Sequence, residues 1–456
     1  MTKNKVMDMT QGRPLPLLLR FALPLVLGSI FQQLYSLADT AIVGRCISVD
    51  ALSAVGVTHA VGLLVLGITM GSAMGFCIPI SQSVGAGEWE DISRYFWNGL
   101  YLSIGIGLVV SVGMGLLARP VLVLSKTPDE LLDMAQTYLT IVLMGQITTV
   151  LYNYFAGVLR AFGDSKRPFY FLLAACFINV VLDLVLILVI PMGVAGAALA
   201  TVISQGISAA LCAWWLFTKQ NAIQIQLRGK CGESLAKPSC AHIARSCIVG
   251  VPLGLEYSVT AIGMVILQGS INTLGTVAAA AQICGERIRA IATTPMESVG
   301  MAMATYVGQN YGAKRMDRIK SGIRSGLAIQ AVYAAAAWAA LLVLKKPLVN
   351  LLLGETASPE AVGAIQYLTI ITTLFIFHGS MMIFRNTVQG MGYGISAMVS
   401  AAMEIAGRSM GGLLAVHLGS FTLVCVSNPM AWILAMICCM LLSFYYIEKE
   451  SRRSAA

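Results

Sequence analysis

Charge is scarce in this chain. Only 11% of its 456 residues are Asp, Glu, Lys or Arg, against 57% hydrophobic, whereas soluble domains carry about 25% charged residues. So little charge cannot clothe a water-facing surface, which excludes an ordinary soluble fold and makes lipid the expected solvent. Histidine is also rare: His59, His242, His378 and His417 are scattered without metal-ligand spacing. The eleven cysteines are odd in number and contain no Cys-x-x-Cys pair. Most of them (Cys77, Cys176, Cys212, Cys284, Cys438 and Cys439) sit in apolar runs as small hydrophobes, so neither a disulfide framework nor a bound metal is expected. No P-loop, nucleophile elbow or clustered His/Cys/Asp set is present. That argues against ATP-driven work or enzyme chemistry by this chain, and no cofactor is expected. A cleavable signal peptide is not expected either, because the polar, basic start MTKNKVMDMTQGRP runs into an apolar stretch of full spanning length.

Apolar stretches are what the sequence has in abundance. A bilayer core about 30 Å thick needs roughly 20 apolar residues per helix. Twelve spans meet this, at about 15–39, 52–80, 95–117, 134–158, 168–190, 194–217, 244–270, 277–307, 322–344, 362–385, 393–416 and 420–447. The expected fold is therefore an all-α polytopic membrane protein. The net charge of +9 does not point to nucleic acid, because the bases gather in short loops between spans. With the N-terminus inside, Lys3, Arg13, Arg94, Arg160, Lys314, Arg324, Arg385 and many others fall on the inner side. Only Arg45, Arg119, Lys126, Lys345 and Lys346 fall outside. This bias orients the chain with both termini cytoplasmic, 1–14 at the start and 448–456 at the end.

The halves resemble each other. Pro24 in FALPLVLGS answers Pro252 in IVGVPLGLE, and ISQSVGAGEWEDISRY answers MATYVGQNYGAKRMDRIKSG. An N-lobe over 15–217 and a C-lobe over 244–447, joined by a polar linker over 218–243, would form a parallel repeat. A transport site is expected between such lobes. Pro24 removes a helix hydrogen bond in span one and is a candidate hinge; a static kink is the equal alternative.

Six acids lie within the spans: Asp39, Asp183, Glu256, Glu286, Glu297 and Glu404. An ionised side chain at mid-bilayer costs about 2.5–3.5 kcal/mol, so each needs a partner, water or a proton. At 1.5 Å per residue, Asp183 stands about 22 Å up span five, with Asn179 one turn below it on the same face. Thr201 lies about 10 Å from the outer side on span six, and Asp39 is near the outer end of span one. These four can meet in an all-oxygen cluster suited to a hard cation, or to two acids sharing a proton. For Asp39 alone the alternative is a cap at the interface, and for Asp183 a structural role. In the C-lobe, Glu404–Arg408 and Glu286 with Arg287 or Arg289 read as structural ion pairs. Glu256, about 18 Å up span seven, lacks an obvious local cation and is the candidate to bind a proton or a cationic substrate. Glu297, beside Pro295, takes no assignment.

PLLLRFALPLVLGSIFQQLYSLADTAIVGR, ISQSVGAGEWEDISRYF, GVLRAFGDSKRPF, INVVLDLVLI, GVAGAALATVISQ and MATYVGQNYGAKR together resemble the multidrug and toxic compound extrusion (MATE) family, in its bacterial DinF/MepA-like branch. The resemblance runs from about Arg13 to Tyr446. It implies twelve helices in two pseudo-symmetric six-helix lobes around a V-shaped cleft. It also implies antiport of drug-like, often cationic compounds against sodium ions or protons. The family's cation site maps onto Asp39, Asn179, Asp183 and Thr201, and its acid on span seven onto Glu256. Substrate-cleft positions map onto Gln32, Tyr35 and Asn153. The repeat-related positions of Asn179 and Asp183 are Arg408 and Gly412, so the C-lobe lacks an equivalent cation site. Implied with this are a multi-pass protein of the bacterial inner membrane, membrane lipids and small molecules as its contacts, no nucleic acid, and action as a monomer. A lipid-linked saccharide flippase of the same superfamily is the alternative. Its cleft should carry more bases for phosphate, whereas the buried acids here outnumber the bases Arg287, Arg289 and Arg408.

Overall fold

The computed structural model describes residues 7–125, 127–218, 237–354 and 356–455. Most of the anticipated linker, 219–236, lies outside the described residues. The chain order is α1 (Pro14–Cys46), α2 (Val49–Ala86), α3 (Trp89–Leu124), α4 (Asp129–Met144), α5 (Gln146–Ala161), α6 (Lys166–Leu184) and α7 (Val194–Phe217). After these come α8 (Cys240–Asn272), α9 (Thr276–Gly312), α10 (Met316–Leu353), α11 (Pro359–Thr373), α12 (Phe375–Gly390), α13 (Gly394–Leu418) and α14 (Phe421–Ala455). A single π-helical turn, Val185–Val189, continues α6.

All twelve anticipated spans coincide with helices, but two of them are not continuous. Span four is α4 and α5, bent by 40°, and span ten is α11 and α12, bent by 50°. The breaks fall at Gly145 and Leu374, separated by the same number of residues as Gly163 and Gly392, which close both spans with φ of +87° and +86°. The first break is tightly packed. A Cβ on Gly145 would stand 2.2 Å from Val202 Cγ2 of α7, so the close approach of α7 admits only glycine there.

Among the described residues, eight helices are each long and apolar enough to cross a bilayer, ten if each bent pair counts as one span. The two spans that miss are α9 and α13, whose apolar character is interrupted by Glu286, Arg287, Arg289 and Glu297 in one and by Glu404 and Arg408 in the other. Long apolar side chains such as Val109 (73% exposed), Phe177 (73%) and Val343 (75%) face outward. A surface of this kind is stable against lipid and not against water.

Two compact units emerge from the contacts: Met1–Asp8 with Leu27–Leu255, and Met9–Val26 with Glu256–Ala456. Apart from the one between Asp8 and Met9, the boundaries fall inside α1 and α8, just after Pro24 and Pro252. The first unit packs α2, α3, α5, α6 and α7 around Phe76, Phe96, Tyr154 and Phe162. Within it Gly250 and Gly254 of α8 meet α2 so closely that a Cβ on Gly75 would lie 2.4 Å from Gly250 Cα. This is the close helix crossing that paired small residues permit in a membrane. The second unit is built on Met296, Tyr367, Phe375 and Trp432.

Candidate functional site

In the first unit, α1 carries Asp39 and α6 carries Asn179 and Asp183, one helical turn apart. Asp183 is 0% and Asn179 1% exposed, while Asp39 is half-buried. The two carboxyl groups lie within hydrogen-bonding reach of each other. Among the described residues no protein group hydrogen-bonds to Asp39 Oδ1, to either carboxyl oxygen of Asp183 or to either end of the Asn179 amide, all of them buried. Buried polar atoms without partners cost about 1–3 kcal/mol each in proteins. Two carboxylates face to face are compatible only with a shared proton or a bridging cation.

The neighbouring side chains are phenols and amides rather than bases. Tyr35, on α1, lies within electrostatic reach of both acids and within hydrogen-bonding range of Gln205 on α7. Tyr138, on α4 shortly before the break, also lies within electrostatic reach of Asp39, Asp183 and Tyr35. Sequence reasoning missed Tyr138 and Gln205, because a tyrosine or glutamine in an apolar span carries no mark of its neighbours. The Thr201 hydroxyl donates to the Ala197 carbonyl of its own helix at 3.1 Å, which leaves its lone pairs available. Among the positions assigned to a substrate cleft, Gln32 is exposed. Asn153 is buried and donates to the Thr149 carbonyl at 2.9 Å.

The second unit holds a different constellation. Glu256, described above as lacking a local cation, has one: Arg385 Nε stands 3.3 Å from its Oε1, and Gln389 Nε2 donates to its Oε2 at 2.9 Å. Arg385 was placed in an inner loop because span ten was ended there. The helix runs on to Gly390, and the guanidinium turns inward to pair with Glu404 as well. Arg408 binds the other oxygen of Glu404 at 2.7 Å, as its i,i+4 spacing anticipated. Of the two arginines near Glu286, Arg289 forms the pair (2.6 Å), while Arg287 lies near Cys284. Tyr367 and Asn428 both donate to Glu286 Oε1, at 2.5 and 2.7 Å. Glu297 is exposed, with Arg289 and Arg385 in electrostatic reach. Counting Arg385 changes the balance drawn from sequence: Glu256, Glu286 and Glu404 are matched by Arg289, Arg385 and Arg408. The surplus of acid lies at Asp39, Asp183 and Glu297.

The MatE family model matches residues 24–185 and 252–407, one match beginning at each of the paired prolines. The chain belongs to the MatE family. Among curated relatives, it is 29% identical over 396 residues to a probable multidrug resistance protein, YpnP, of Bacillus subtilis, covering 87% of this chain and 86% of that one. It is 24% identical over 364 residues to a probable multidrug resistance protein, NorM, of Thermotoga maritima (79% and 76% covered). The multidrug export protein MepA of Staphylococcus aureus is 21% identical over 389 residues (85% and 84% covered). Solved structures share the fold. A MATE protein in its bent conformation superposes with a TM-score of 0.90 at 22% identity, covering 99% of this chain and 100% of that one. A MOP superfamily transporter of Pyrococcus furiosus gives 0.91 at 21% identity with the same coverage. As a MatE protein the chain is a multi-pass membrane transporter, and the relatives named above carry the names of multidrug resistance or multidrug export proteins.

Proposed function

We propose that this MatE chain exports organic, preferentially cationic compounds by antiport, and that Asp39 and Asp183 hold the proton or sodium ion exchanged for them. The observation that carries this reading is the approach of the Asp39 and Asp183 carboxyl groups beside Asn179, with Asp39 Oδ1 and both Asp183 oxygens buried and unpartnered among the described residues. A fixed ion pair would have left a lysine or arginine beside them, as it does at Glu404. Desolvating either carboxylate is costly unless a cation or proton accompanies it. Occupation of the pair is therefore linked to the conformation that encloses it, and a cationic cargo competes for the same negative charge. Asp39 and Pro24 share α1, so a change of bend at the proline would be felt at the pair.

The test is efflux of a cationic dye from everted membrane vesicles under separately imposed sodium and proton gradients, comparing wild type with Asp39→Asn, Asp183→Asn and Glu256→Gln. Coupled efflux should be lost in Asp183→Asn and Asp39→Asn. Undiminished gradient-driven efflux in Asp183→Asn would remove the coupling site.

A further inference from the structure

Matching positions in the two halves hold different chemistry. Tyr35 and Asp39 follow Pro24 at the spacing at which Gly263 and Leu267 follow Pro252. Counted from Gly163 and Gly392, the glycines that close the two broken spans, Asn179 and Asp183 answer to Arg408 and Gly412. Both acids of the first half are thus gone from the second, and a guanidinium stands in place of the amide. Gly263 packs closely against it: a Cβ there would lie 3.3 Å from Arg408 Nη1.

Arg408 is 5% exposed, and all three of its nitrogens donate to oxygens. Nη2 reaches Glu404 Oε2 at 2.7 Å, Nε reaches Asn428 Oδ1 at 3.0 Å, and Nη1 reaches the Thr260 carbonyl at 3.3 Å. A carboxylate, an amide oxygen and a backbone carbonyl are the ligand classes that hold a hard cation. The charge count agrees, with Glu256, Glu286 and Glu404 balanced by Arg289, Arg385 and Arg408 through the contacts given above.

We propose that Arg408 is a tethered cation: its guanidinium permanently fills, in the second half, the place that a mobile cation takes among Asp39, Asn179 and Asp183 in the first. The second half then needs no ion from solution, and the chain couples through one cation site rather than two. The contrast with the first half rests on the function proposed for Asp39 and Asp183, but the tethered cation is testable without transport. Removing the guanidinium leaves Glu404 and Glu256 to share Arg385, one negative charge in excess amid oxygen ligands, and such a site draws in a small cation.

The experiment uses the purified full-length chain in an Asp39→Asn/Asp183→Asn background, which silences the first-half pair whatever its role. Thermal melting is followed as guanidinium or sodium replaces choline at constant ionic strength. Adding Arg408→Ala should lower the melting temperature, and guanidinium at millimolar levels should restore several degrees saturably, as a ligand of the folded state does. The parent background should show no saturable rise. Adding Glu404→Gln to Arg408→Ala removes the uncompensated charge; it should raise the melting temperature and abolish the response. If Arg408→Ala does not yield folded protein, recovery of folded protein on adding Glu404→Gln is the expected result, and its absence overturns the proposal. A folded Arg408→Ala variant indifferent to both cations, or one whose response survives Glu404→Gln, also overturns it.

Discussion

Arg385 is the sharpest place to perturb this molecule, because one guanidinium serves two buried carboxylates that sequence alone did not connect to it. In Arg385→Met the side chain keeps most of its length and loses its charge. Glu256 is then left with the Gln389 amide at 2.9 Å, and Glu404 with Arg408 at 2.7 Å. Removing one partner of a buried pair costs about 3–5 kcal/mol, because a charge is left uncompensated. The surviving bonds to both carboxylates place the expected loss at the lower end, about 3 kcal/mol. Adding Glu256→Gln restores equal numbers of acids and bases, so the double variant should be more stable than Arg385→Met alone. A coupling between the two sites of at least about 1 kcal/mol is expected. The assay is thermal unfolding of the purified chain in detergent, read by tryptophan fluorescence; Trp432 lies inside the second unit and its ring is 5.8 Å from the Arg289 guanidinium carbon. An Arg385→Met variant that melts with wild type, or a double variant whose loss is the sum of the two single losses, would refute the reasoning.

Two further substitutions test the packing that frames the first unit. Gly145→Ala drives a methyl group to within 2.2 Å of Val202 Cγ2. A β-branched side chain has little freedom to yield, so a loss of about 1–3 kcal/mol is expected in the same melting assay; wild-type stability would mean that α7 does not press on the break. Tyr154→Phe deletes a buried hydroxyl that donates to the Phe96 carbonyl at 2.5 Å. It should cost about 0.5–1.5 kcal/mol, and a larger loss in melting would show that the hydroxyl does more than make this bond.

Much of the fold is legible in the sequence because lipid imposes a simple requirement. Every span must be long, apolar and helical, so the approximate reading of span six, about 194–217, falls on the helix Val194–Phe217. The broken spans were not legible. Residues on both sides of Gly145 and Leu374 continue the apolar pattern, and the close neighbour of Gly145, Val202, is remote in sequence. Asp39, Asn179 and Asp183 could be brought together by depth along their helices, because two acids in apolar runs are costly enough to stand out. Tyr138, Gln205, Gln389 and Asn428 are uncharged, and nothing in their local sequence says which acid they face. Arg385 was misplaced for a related reason. An arginine near a span end reads as a loop residue under the charge-bias rule, although a buried carboxylate can hold it inside.

The central claim is that the Asp39–Asp183 pair releases its cation when cargo binds. The most direct measurement is to count the protons and sodium ions set free when a cationic dye binds the purified wild-type chain in weakly buffered solution. About one cation per bound dye is expected from a single coupling site, falling to none in Asp183→Asn. Dye binding with no cation released by wild type, or the same release from Asp183→Asn, would contradict it.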